Sequence, residues 1–173
     1  MDFQQNHFEL FRLPVSFSVD LNELGSRYRE LQKSVHPDRF AGGSDQNKRL
    51  SVQWATRINE AYDTLKSPLP RAIYMLKLAG LEIAHNPSLD PAFLMEQIEL
   101  REELEDIGED EAALAQLDVF RRKVNEVLAS LEATFEAEVA ADLPAAEQTV
   151  YKMQFMNKLR TEANHLEEKL LDY

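Results

Sequence analysis

Apolar residues recur at intervals of three and four through almost all of the chain, and proline or glycine stands at most places where the recurrence breaks. A period near 3.6 residues marks an amphipathic α-helix and not a strand. One such stripe runs through Leu21, Leu24, Tyr28, Leu31 and Val35, a second through Leu50, Trp54, Ile58, Ala61 and Leu65. A third joins Met156, Leu159, Ala163, Leu166 and Leu170. Only 5 glycines interrupt the 173 residues, and runs of β-branched residues are nearly absent. The long stretches are built from Ala, Leu, Glu, Gln, Lys and Arg, which favour helix. An all-α protein is expected.

The breaks set the organisation. "HFELFRLP" (7–14) reads as a short helix closed by Pro14. Asp20 is placed to cap the next helix, with Glu23 three residues on as in a capping box. After the "HPDRFAGG" loop, Ser44 or Asp45 starts a long helix that ends near Lys66, and "SPLPRAIYMLKLAG" (67–80) gives a short one stopped by Gly80. Residues 81–91, "LEIAHNPSLDP", look like a linker. Three more helices are expected at roughly 91–107, 111–141 and 144–171, broken at Gly108 and at Asp142–Pro144, and their stripes suit an antiparallel bundle. The domains are then 1–80, a linker 81–91, and 92–173.

Charge divides along the same line. The net charge is −12, yet residues 1–80 carry 11 Lys/Arg against 9 Asp/Glu, while residues 81–173 carry 8 against 22. So acidic a second half argues against nucleic acid, whose phosphates need a cationic surface. No cysteine is present, which removes disulfides, thiolate nucleophiles and Cys-based zinc or iron–sulfur ligation by this chain. The start "MDFQQNHFEL" lacks a basic segment followed by an apolar one, and no 18-residue apolar run occurs. No membrane association is expected, and a reducing cytoplasm is the expected location.

"SVHPDRF" (34–40) is the first stretch that carries chemistry. Pro37 cannot continue a helix, at a cost of about 3 kcal/mol, and His36 before it is pushed out of the α region. A titratable ring and the Asp38 carboxylate are therefore presented beyond the helix end. At about 100° per residue, Arg29 and Lys33 fall opposite the apolar stripe of the preceding helix, with Arg27 on its flank. Taken singly, a basic stripe is a solvated face and His36 a loop histidine. A hydrolase using His36 and Asp38 needs a third group and a pocket, and neither a Gly-rich phosphate loop nor an HExxH pattern occurs. His7, His36, His85 and His165 have no i,i+4 pairing for a metal. The chain is not expected to be an enzyme or to hold a cofactor.

Taken together, the pieces resemble the J-domain of DnaJ-type co-chaperones. The matching residues are Tyr28, Arg29 and Leu31, then His36-Pro37-Asp38, then Asn59-Glu60-Ala61-Tyr62 and Leu65, then Pro68, Arg71, Ala72 and Tyr74, in order over about residues 7–77. The resemblance implies a helical hairpin with short flanking helices. It further implies that Arg27, Arg29, Lys33, His36, Pro37 and Asp38 dock on a DnaK-like chaperone and stimulate its ATP hydrolysis. Ser34 and Val35 just before the histidine, and Glu30 among the basic positions, depart from many general J-domains and favour a specialised partner.

The second informative stretch is "FLMEQIELREELEDI" (93–107). Leu100, Leu104 and Ile107 lie within roughly 40° of Phe93 on a helical wheel, enough to pack the helix in a bundle. Met95 and Ile98 point nearly the other way, Leu94 flanks them, and Glu99, Glu102 and Asp106 continue the outer surface. Apolar anchors beside carboxylates make a reasonable partner surface. Leu94 and Met95 packed beneath the first half, with the carboxylates merely solvated, is the other reading. Phe155 lies at the edge of the last helix's stripe, where it reads as core.

With "AFLMEQIELREELEDI" and the C-terminal "LEEKLLDY", the whole chain resembles the HscB family, J-type co-chaperones of bacterial iron–sulfur cluster assembly. This implies an L-shaped molecule whose C-terminal bundle binds the scaffold protein IscU through Leu94, Met95, Ile98, Glu99, Glu102, Asp106 and Phe155. The J-domain then recruits the DnaK-like ATPase HscA. Ile98 stands where leucine is familiar, a volume-conserving change, and Asp106 where glutamate is, with a shorter reach. The lack of a transit peptide and of the extra N-terminal cysteine motif of mitochondrial relatives favours a bacterial cytoplasmic form. A general J-protein delivering unfolded clients to DnaK is the alternative.

Overall fold

The computed structural model describes residues 1–172. It is all-helical among these residues, and the chain separates into two compact units, Met1–Ala79 and Gly80–Tyr173.

In the first unit, α1 spans His7–Leu10 and is capped by Asn6, whose side chain accepts from the Glu9 amide at 2.8 Å. It stops well before Pro14. Arg12 sits in the left-handed region at φ 55°, which ends the helix. The Arg27 guanidinium takes up the Phe11 carbonyl at 2.7 Å and also that of Arg12. Helix α2 (Leu21–Val35) begins at Asp20, whose carboxylate accepts from the amides of Asn22 and Glu23. The reciprocal half of the capping box does not form, because Glu23 pairs instead with Arg27 one turn on. Helix α3 (Asp45–Leu65) is capped by Ser44, and α4 (Pro68–Leu78) starts on its proline, a position where the missing N–H costs nothing.

Helices α2 and α3 form the hairpin. Their contact face is lined by Leu24 and Val35 on one side and by Ser51, Trp54, Ile58, Ala61 and Leu65 on the other. Two expected core residues are displaced. Leu21 is 54% exposed, since burial on its face starts one turn later at Leu24. Leu50 is 43% exposed because Ser51, one 100° step away, takes the inward position. The middle of the hairpin is tied by the stacked rings of Tyr28 and Tyr62, 4.0 Å apart, and by the Tyr28 hydroxyl donating to Asn59 at 2.7 Å. Buried Arg71 links α4 to the rest, donating to the carbonyls of Leu65 and Phe17 and lying over the Phe17 ring.

In the second unit, α5 (Pro91–Glu105), α6 (Ala113–Glu138) and α7 (Leu143–Leu171) pack as a three-helix bundle, with α6 and α7 making the main seam. Asp90 and Asp142 cap α5 and α7 through the amides of Ala92 and Ala145, and each capped helix has a proline in its first turn. The core is Leu117, Phe120, Val124 and Phe135 from α6 against Val150, Met153, Met156 and Leu159 from α7. Helix α5 adds Phe93, Gln97, Leu100 and Leu104; Gln97 fills the inward position between the apolar residues, and Ile107 lies past the helix end, half-buried. Residues 80–90 form no helix, but the Ala84 amide donates to the Tyr151 hydroxyl at 2.7 Å, and that hydroxyl donates to Glu147 at 2.6 Å. None of the described helices is long and apolar enough to cross a membrane.

His7 supplies a pH test of the first unit. Its ring stacks on Tyr74 at 4.3 Å, its amide donates to the Tyr74 hydroxyl, and Nδ1 is buried without a partner. Burial first, and then the nearby Arg57, hold its pKa below the ordinary value of 6.5. A ring that resists protonation when folded favours the fold fully above pH 6.5, and that stability is lost as pH falls below this value through the depressed one. Thermal unfolding followed by circular dichroism should therefore show a drop in Tm between pH 7.5 and about 5.5 that is smaller in His7→Phe, where no such proton binds.

Candidate functional site

The HPD segment is more ordered than a bare loop. His36 ends α2 with an extended backbone, at φ −58° and ψ 135°, as its place before proline requires. Pro37–Phe40 then wind into a single 3₁₀ turn, closed by the Arg39 amide donating to the His36 carbonyl at 3.0 Å. His36 also caps this turn: Nδ1 accepts from the Asp38 amide at 3.3 Å. Nδ1 also lies 3.6 Å from an Asp38 carboxylate oxygen. In the neutral ring only the amide contact is a hydrogen bond, and it puts the ring proton on Nε2, facing solvent. Side-chain exposures of 57% for His36 and 92% for Asp38 leave both groups in water. This is a display of a donor and an acceptor on a constrained turn; it is not a desolvated acid–base pair.

What holds the turn in place is beneath it. The buried Ser51 hydroxyl of α3 donates to the carbonyl of Val35, the last residue of α2. Ser34 donates to Leu31 at 2.7 Å. Of the three cations, Arg29 and Lys33 are exposed on α2, whereas Arg27 is half-buried with its guanidinium on Phe11, Arg12 and Glu23. Arg27 thus differs in kind from its two neighbours: it fastens α2 to the end of α1.

On α5 the face away from the bundle carries Leu94, Met95 and Ile98, which are 39%, 59% and 52% exposed. Leu94 and Met95 are not buried beneath other residues. Glu99, Glu102 and Asp106 follow along the same side, exposed, and among the described residues none of them makes an ion pair. The carboxylates that do pair lie on the flanks: Glu103 with Lys123 at 2.7 Å, and Glu162 with Arg101 at 2.8 Å. Phe155 of α7 is half-buried, its ring 6.3 Å from that of Phe93 and tilted by 60°. It is therefore neither a core residue nor a fully free one, and it borders the helix that bears the apolar group.

Ser51 is the site residue that sequence reasoning missed. Its one signal is a hydroxyl three residues before Trp54, where a 3–4 pattern permits either residue 50 or residue 51, and apolarity favours the leucine.

Known proteins of similar sequence and structure point one way. Residues 89–164 match the family described as the HSCB C-terminal oligomerisation domain. A Vibrio vulnificus (strain CMCP6) protein named co-chaperone protein HscB homolog is 47% identical over 168 residues, covering 95% of this chain and 98% of the relative. Among solved structures, chaperone HscB from Vibrio cholerae superposes with a TM-score of 0.88 at 42% identity, covering 96% of this chain and 99% of that one. Human co-chaperone protein HscB gives 0.89 at 30% identity, over 96% and 84%.

Removing the Ser51 hydroxyl tests the support of the turn. Ser51→Ala leaves the buried Val35 carbonyl without its donor and should lower stability by roughly 1–3 kcal/mol, read from urea unfolding. Amide exchange at Asp38 and Arg39 should speed up more than exchange in α6 and α7.

Proposed function

The chain belongs to the HscB co-chaperone family, and on that footing we propose that it joins two proteins. The C-terminal bundle holds the iron–sulfur scaffold protein IscU, and the J-domain presents it to the DnaK-like chaperone HscA while stimulating HscA's ATPase. In this reading the chain has no active site of its own and works in the cytoplasm. The chemistry on cluster and nucleotide belongs to the partners.

The observation that carries the reading is the exposure of Leu94, Met95 and Ile98 on a helix whose opposite face is already packed. Burying Met95 or Ile98 in an interface yields about 1.5–3 kcal/mol each. The unpaired Glu99, Glu102 and Asp106 beside them orient a partner that brings basic groups. At the J-domain, Arg29 and Lys33 steer toward an acidic chaperone surface, and Asp38, its side chain 92% exposed, offers its carboxylate to a partner arginine. Pro37 and the His36 cap restrict the turn before docking, which reduces the ordering cost on binding. Arg27 acts here through position, by fixing α2. Carrying both surfaces on one chain makes the second encounter effectively intramolecular.

The test is HscA steady-state ATPase in the presence of IscU, alongside calorimetric titration of IscU into the full chain. Asp38→Asn should abolish stimulation while IscU binding stays as in the wild type. Met95→Ala and Ile98→Ala should each weaken IscU binding about tenfold or more and leave the J-domain folded. Equal competition at the bundle by unrelated unfolded peptides would instead mark a general client carrier.

A further inference from the structure

The second unit has eight basic side chains, and half of them are held by glutamates. Arg101, Arg121, Lys123 and Lys169 each pair with a glutamate at 2.7–2.8 Å. Lys152 and Lys158 of α7, like Arg122 of α6, make no ion pair or hydrogen bond among the described residues, and what sets the two lysines apart is that they flank one aromatic ring. On the helical wheel they lie about 60° to either side of Phe155. The Lys152 ammonium stands over the Phe93 ring, 5.5 Å from its centre. On the other side, Lys158 lines a cleft of about 200 Å³ with Phe155, Gln154, His85 and Pro87, so that one wall is α7 and the other the helix-free strand of chain before α5.

Carboxylates stand toward the end of α5 and exposed apolar side chains at its start; Phe155, whose ring meets that of Phe93, has a cation on each side and borders the cleft. Resting on the assignment of the α5 face to IscU, we propose that this docking surface continues over Phe155 and ends at Lys158, where the cleft takes a carboxylate-bearing side chain of the scaffold. Two unpaired ammonium groups around an aromatic ring complement an acidic residue next to an apolar one.

The opposing predictions for one substitution make the test sharp. If attraction between an acidic bundle and a basic partner were the whole of the electrostatics, Lys158→Glu would tighten binding. With a carboxylate of the partner in the cleft, it weakens binding. Titration of IscU into the full-length chain by calorimetry should show about a five- to tenfold weaker Kd for Lys158→Glu and about two- to threefold for Lys158→Ala, with the loss shrinking at high salt. Arg122→Glu, the same charge change on exposed α6, should stay within about twofold of wild type. Unchanged or tighter binding by Lys158→Glu overturns the proposal. Met95→Ala separates the two levels: if it weakens binding and Lys158→Glu does not, only the extension to the cleft fails. If Met95→Ala binds like wild type, the IscU assignment fails and the extension with it.

Discussion

A helix that stops must find partners for its last carbonyls, and α2 stops where the chain presents its most informative residues. The Val35 carbonyl is met by Ser51 from inside the hairpin, and this contact joins the end of one helix to the early turns of the next. Further down, the Tyr28–Tyr62 stack and the Tyr28–Asn59 hydrogen bond keep the two axes in register. The 3₁₀ turn at 37–40 thus sits on a rigid base, although no residue of the turn itself is buried. Rigidity below and exposure above let His36 and Asp38 be presented without a pocket around them.

The second unit solves a different problem. Helices α6 and α7 bury each other along their length, so α5 needs only one narrow stripe to be held. The cross-helix pairs Arg101–Glu162 and Lys123–Glu103 lie on either flank of that stripe. Each is part-exposed and worth little alone, but as a pair they oppose rotation of α5 about its axis. The helix can then leave three large apolar side chains in water while keeping a single orientation. Glu103 and Glu162 at the flanks are paired with cations, whereas Glu99, Glu102 and Asp106 on the outer face make no ion pair among the described residues.

Helix positions and some of the caps were legible because they follow from local rules. Asp20 and Ser44 cap helices as the sequence suggests, while Asp90 and Asp142, read only as part of a linker and as a break, prove to be caps of the same kind. The outward direction of Met95 and Ile98 followed from the wheel as well. Contacts between distant segments were not legible. Just past the end of α1, the carbonyls of Phe11 and Arg12 are taken by Arg27, 16 and 15 residues away in the sequence. A wheel cannot choose between Leu50 and Ser51, since the choice depends on a carbonyl of another helix. Nor does the sequence distinguish Lys152 and Lys158 from the lysines that pair, because pairing is a property of the surface around them.

Tyr151 draws the loop before α5 into this scheme. Its ring is 1% exposed, and its hydroxyl holds the Ala84 amide. Residues 80–90 have no regular structure to keep them in place, yet one phenol pins them near their middle. A chain segment tethered in this way has given up part of its freedom before anything lands on it, which lessens what a visitor to the groove beside Pro87 must still order.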